Sequence, residues 1–204
     1  MLFDDTYYTI EKPAEAQFSD RGSKFIAYAF PVITEAEVKV LLQQVKGKHP
    51  KANHHCWAMR LTPDRSVFRI NDDGEPSGTA GRPILNVMLS KNITNVFIVV
   101  VRYFGGTLLG VPGLINAYKT TADEVVKKAM VIQKTVNDIY SIEFDYLQMN
   151  DVMRVIKEEN LNVINQQFDN QCSIKLSIRQ MQVNAVIGKL NVVEGVKAKF
   201  LYQG

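Results

Sequence analysis

From residue 138 onward the spacing of apolar residues switches between two periods in a fixed order. That order restricts the fold more than any other feature of the chain. Residues 138–146 alternate, with Ile139, Ser141, Glu143 and Asp145 interleaved among Tyr140, Ile142, Phe144 and Tyr146, the period of a strand. Val152, Val155 and Ile156 take up helical spacing. Residues 161–168 and 171–178 then read as a hairpin across Asp169 and Asn170, a two-residue turn of suitable chemistry. Val183, Val186, Ile187 and Leu190 mark a second helix, and residues 192–202 close with a strand. The order β-α-β-β-α-β is the ferredoxin-like arrangement. The pattern before it is different, which places a domain boundary near 134–137 and two domains at 1–134 and 135–204.

The first domain opens with an extended stretch at 7–12 and a turn around Asp20, Arg21, Gly22 and Ser23. Residues 24–30, rich in aromatics and ended by Pro31, read as a strand. Thr34 and Glu37 form a capping box, and Val38, Leu41, Leu42 and Val45 give an amphipathic helix that stops at Gly47. Residues 55–61 and 66–70 suggest a hairpin across Pro63 and Asp64. A helix starts near Pro83, with Ile84, Val87 and Met88 inward. Residues 95–103 are a buried strand. A long helix follows, with Leu114, Ala117, Tyr118, Thr121, Ala122, Val125 and Ala129 on one face. The class is α+β, in two α/β sandwich domains.

Composition excludes several alternatives. With 46% hydrophobic residues in 204, the chain is not disordered, and it is large enough to fold without staples. Cys56 and Cys172 are too few for a disulfide scaffold and fit a reducing compartment. The longest apolar run, Val96 to Val101, falls far short of a membrane span, and the first five residues lack the pattern of a signal peptide. A cytoplasmic location without membrane contact is expected. Residues 1–134 carry 17 basic and 13 acidic side chains, against 7 and 8 in 135–204. One basic cluster stands out, Lys46, Lys48, His49 and Lys51, just before His54 and His55. It fits either phosphate contacts or a solvated helix end.

Two connections have the composition of a site. Residues 71–83 crowd Asp72, Asp73, Glu75, three glycines, two hydroxyls and Arg82 into a loop that opens a helix, where free N–H groups can hold an anion. Residues 101–113 deliver Arg102 at the end of an apolar strand, followed by Gly105, Gly106, Gly110 and Gly113 before the next helix. This is neither a dinucleotide fingerprint nor a P-loop, though backbone donors and one arginine suit a phosphate oxygen. Both loops can equally be tight packing devices. Between them, alternation puts His54 and Cys56 on one face of a strand and His55 and Trp57 on the other. The spacing lacks a paired metal-ligand signature, so neither a metal nor a cofactor is expected.

His54-His55-Cys56, Asp72-Asp73-Gly74-Glu75-Pro76 with Gly78-Thr79-Ala80-Gly81, and Val100-Val101-Arg102-Tyr103-Phe104-Gly105-Gly106 through Gly113-Leu114 resemble the motifs of the IMPACT/YigZ family. Ser23-Lys24-Phe25 also fits. The resemblance implies a first domain like the second domain of a small-subunit ribosomal protein and the fourth of elongation factor G, and a ferredoxin-like second domain like the fifth of that factor. Eukaryotic members carry an added RWD domain and restrain a starvation-sensing kinase; residues 1–6 are too few for that domain, so the kinase role is not carried over. The leading expectation is a non-catalytic RNA- or ribosome-associated protein acting in translation. Lys46, Lys48, Lys51, His54, Arg82, Arg102, Lys119 and the amides of Gly105 and Gly106 would meet phosphates, and Tyr103 and Phe104 would be available for stacking. Two alternatives stay open. One is a phosphorylated-ligand or metal-dependent enzyme using a pocket of His54, His55, Cys56, Asp72, Asp73, Glu75 and Arg102. The other is an adaptor that binds a protein partner through its C-terminal domain.

Overall fold

The apolar run at 96–101 carries no alternation because its strand is covered on both sides. In the computed structural model, which describes residues 5–169 and 171–204, this strand is β6 (Val96–Tyr103), the middle of a five-stranded antiparallel sheet. The sheet order is β2 (Ala14–Asp20), β3 (Ser23–Pro31), β6, β4 (His54–Leu61), β5 (Val67–Asn71). Val96, Ile98 and Val100 face a core with Ile84, Leu85 and Met88 of α2 (Gly81–Ser90) and Leu114, Ala117, Tyr118 and Val125 of α3 (Gly110–Lys128). Phe97, Val99 and Val101 face Val38 and Val45 of α1 (Glu35–Lys48) on the other side. The expected capping box starts α1: Thr34 Oγ1 accepts from Glu37 N, and the Glu37 carboxylate accepts from the amides of Ile33 and Thr34. The inward stripes expected for α2 and α3 are all buried.

β1 (Thr6–Ile10) pairs with β7 (Val131–Thr135) in a small separate sheet. The apolar pattern did not announce β2 or β7. β2 is an edge strand in which Ala14, Ala16 and Phe18 alternate with Glu15, Gln17 and Ser19, but two of its three inward residues are alanine, a weak strand former; β7 buries none of its residues and writes no period of two. Helix α2 begins at Gly81, two positions before Pro83.

The chain divides into two compact units, 7–134 and 135–204, with Asp5 and Thr6 belonging to the second. The second unit runs β8 (Asn137–Phe144), α4 (Met149–Glu158), β9 (Asn162–Phe168), β10 (Cys172–Arg179), α5 (Val183–Asn191) and β11 (Lys197–Gln203), the order that periodicity indicated. Its antiparallel sheet has the order β11-β8-β10-β9. Ile142, Phe144, Ile174, Leu176 and Ile178 pack against Val152, Val155, Ile156, Val186 and Leu190 of the two helices. The last strand starts at Lys197 rather than 192, because Gly195 turns the chain through positive φ (+85°). Asn170 of the expected hairpin turn lies outside the described residues. Asp5 anchors its end of the chain: Arg179 donates Nε and Nη2 to the two carboxylate oxygens at 2.8 Å, and these bonds hold the carboxyl below its usual range. Among the described residues no helix is long and apolar enough to cross a membrane.

Candidate functional site

Antiparallel pairing sets His54 directly opposite Arg102, so the start of β4 and the end of β6 meet at one end of the sheet. Both glycine-bearing loops leave from this end. Asn53 N donates to Arg102 O at 2.9 Å, and the Asn53 side chain accepts from Phe104 N at 2.8 Å. Gly105 lies against Gly22 so closely that a Cβ would sit 1.9 Å from the Gly22 carbonyl carbon, so only glycine fits.

On the α2–α3 face the loops converge. Arg102 Nη1 donates to Glu75 Oε1 at 2.6 Å, and the Tyr118 hydroxyl donates to the same oxygen at 2.7 Å. His54 Nε2 stands 3.9 Å from it. The Cys56 thiol lies 3.0 Å from the Asp72 carbonyl and 3.3 Å from the Tyr118 hydroxyl. Arg102 and Glu75 are both buried, and the rings of Phe25 and Phe104 flank the guanidinium at 5.6 Å. Burial pushes the Cys56 thiol well above its usual range, with Glu75, Asp73 and Asp72 adding to the shift. It pushes Tyr118 up as well. A thiol in this setting stays protonated and is a poor nucleophile.

The acidic loop folds back on its own amides. Asp72 accepts from Gly78 N (2.9 Å), Ala80 N (3.1 Å) and Gly81 N (2.8 Å), so its carboxylate occupies the start of α2. Of the two readings left open for this loop, an external anion at these amides gives way to the tight turn: they are filled by the chain itself. Asp73 accepts from His55 N at 2.6 Å, and its carbonyl accepts from His54 Nδ1 at 2.8 Å. The expectation of Arg102 as a phosphate hand needs the same correction, because its charge is offset by Glu75 inside the protein. Among the described residues no three His, Cys, Asp or Glu side chains are grouped to hold a metal.

Alternation puts a different set on the α1 face. His55 and Trp57 point there, as the strand reading required, with Tyr103 and Tyr28. The buried His49 ring is bracketed by two phenols, Nε2 to Tyr28 at 2.8 Å and Nδ1 to Tyr103 at 2.9 Å. Each ring nitrogen therefore has a hydroxyl partner inside the protein. Burial and the nearby Lys48 lower its pKa; burial also lowers that of His55, whose Nε2 donates to His49 O at 3.2 Å. Lys24 and Lys48 act on His49 and Lys46 acts on His55, so three ammonium groups gather at this edge. Lys48 also lies over the Tyr28 ring and pairs with Glu15 at 3.4 Å. Lys51, Arg82 and Lys119 are exposed; Gly106 lies open in the second loop, while Gly105 N donates to Ser23 Oγ at 3.2 Å.

The residues proposed from sequence therefore fall into two groups. His54, Cys56, Glu75 and Arg102 meet on one face, with Tyr118 added. Lys46 and Lys48 meet on the other, with His55 and the added Lys24, His49 and Tyr28. Tyr118 sits inside an apolar helix stripe, where its hydroxyl gives no separate signal.

Residues 21–126 match the model of the Impact N-terminal domain. This stretch contains both loops and the β4 and β6 strands that join them. The chain belongs to the IMPACT family. A family member from Haemophilus influenzae is 30% identical over 172 residues, 83% of this chain and 84% of that protein. The family member YvyE of Bacillus subtilis is 29% identical over 180 residues, 88% of this chain and 83% of that protein. A crystal structure described as that of a hypothetical protein superposes with a TM-score of 0.74 and 25% identity, covering 98% of this chain and 99% of that one. The likeness to the two family members spans both units.

Proposed function

We propose that this protein is a non-catalytic, RNA- or ribosome-associated factor that acts in translation or its regulation. Membership of the IMPACT family supports the translational part. The non-catalytic part is supported by where the reactive groups stand. Asp72 is committed to three amides, Asp73 to His55, Glu75 to Arg102 and Tyr118, and Cys56 is a buried, protonated thiol. The observation that carries the RNA part is the gathering of Lys24, Lys46 and Lys48 around the His49–Tyr28–Tyr103 cluster, beside exposed Lys51. Ammonium groups held at one rigid edge contact successive phosphates. On this reading Arg82 and Lys119 extend the contact over the helices, the second-loop amides assist, and the C-terminal unit is left for a protein or ribosomal partner.

A salt titration against structured RNA tests it. Three or four phosphate contacts predict that log affinity falls against log salt with a slope of roughly −2 to −4. Reversing Lys46, Lys48 and Lys51 to Glu should abolish binding. Affinity indifferent to salt, or to that triple reversal, would overturn the reading.

A further inference from the structure

We propose that the pocket between the two glycine-bearing loops binds an apolar α-amino compound: a ligand with an ammonium group and a neighbouring carboxylate or carbonyl oxygen on an aliphatic or aromatic side chain. The cavity measures about 490 Å³, within the range of small-ligand sites. Phe104, Leu108, Leu109, Val111 and Leu114 wall it. Leu108 is 81% exposed and Val111 52%, so apolar surface stands open to water at the mouth.

The floor offers acceptors. Glu75 is buried, and both of its hydrogen bonds fall on Oε1. Among the described residues Oε2 has no partner, yet it is not one of the sealed, unbonded polar atoms, so it reaches the cavity that Glu75 lines. His54 Nδ1 must donate, because its partner is the Asp73 carbonyl; among the described residues Nε2 is left at the floor without a hydrogen bond.

The side wall offers donors. Leu109, Gly110 and Val111 line the cavity at the first turn of the 19-residue helix α3, and no side chain caps it. Pro112 contributes no N–H, so the open amides are those nearest the cavity. An anion alone would leave Glu75 Oε2 unmatched; Arg102 can add to it only through Nη2, since Nη1 is bound to Glu75 and Nε is sealed from solvent. An ammonium alone would leave the helix start unmatched. A compound with both groups and an apolar side chain matches floor, wall and mouth together.

Calorimetry with the full chain and no nucleic acid tests this independently of RNA binding. The probes are leucine, leucyl-glycine, N-acetyl-leucine and 4-methylpentanoate. Leucine or leucyl-glycine should bind. Acetylation or loss of the amine should weaken binding roughly tenfold or more, because a charge-assisted bond to a carboxylate is lost. Tighter binding of leucine points to a free amino acid, and tighter binding of leucyl-glycine to the first residue of a chain. Leu108→Asp, at an exposed position that folding tolerates, should also weaken the better ligand about tenfold. Three results would each overturn the proposal: no heat from leucine or leucyl-glycine at about 10 mM, where even a fragment-sized ligand registers; 4-methylpentanoate binding as well as leucine; or Leu108→Asp binding unchanged.

Discussion

On the α2–α3 face of the five-stranded sheet, Arg102 meets Glu75 at 2.6 Å with both side chains buried. On the α1 face, at the same end of the same strands, Lys24 and Lys48 act on His49 and Lys46 on His55, and none of the three lysines is buried. Residues adjacent in sequence are split between the two. His54 and Arg102 go to the closed side; His55 and Tyr103 go to the open one. Alternation along β4 and β6 divides neighbours in sequence between the two faces, and burial decides which charges remain available to a partner.

The sharpest way to break this contrast is to remove one member of the closed pair. Glu75→Ala leaves Arg102 buried without a counter-charge, and should lower unfolding free energy by about 3–5 kcal/mol in urea melts. A loss below about 1 kcal/mol would mean that the guanidinium is solvated. Asp72→Ala frees the three amides at Gly78, Ala80 and Gly81, and should cost about 2 kcal/mol by the same measurement.

Acid discriminates between the faces differently. The pKa values of His49 and His55 lie below those of the unfolded chain, so below the ordinary imidazole range the unfolded state binds more protons than the folded state. Stability from these rings is complete above that range and is lost as pH falls through it toward their folded values. His49→Gln should flatten the decline between neutral and mildly acid pH. An undiminished slope would assign the effect elsewhere. The smallest effect on stability belongs to the open face: reversing Lys46, Lys48 and Lys51 to Glu should lower the unfolding free energy in urea by no more than about 1 kcal/mol, while removing RNA affinity.

Legibility from sequence followed burial. β6 and the inward stripe of α3 were readable because a full apolar run and a helical period survive when every inward position is filled. The second unit was readable because β10 alternates cleanly and α4 keeps a buried apolar stripe. β7 was not, since a strand with no buried residue places little constraint on side-chain type, and the alternation of β2 rests on two alanines and one phenylalanine. The two loops were recognisable as a site by composition, but not which of their charges would be neutralised. Glu75 and Arg102 are 27 positions apart, and Tyr118 lies 43 from Glu75, distances over which local pattern carries no pairing information. The same limit hid the link from His49 to Tyr28 and Tyr103, which only the sheet and the end of α1 bring together.

The division between a closed and an open face can be read directly by nuclear magnetic resonance, titrating an RNA oligonucleotide into isotope-labelled protein. The account predicts that the amides of Lys46, Lys48 and Lys51 and the ring protons of His49 shift in proportion to RNA, while the Nε–H of Arg102 stays fixed. Movement of the Arg102 Nε–H with a silent Lys46–Lys51 segment would contradict it.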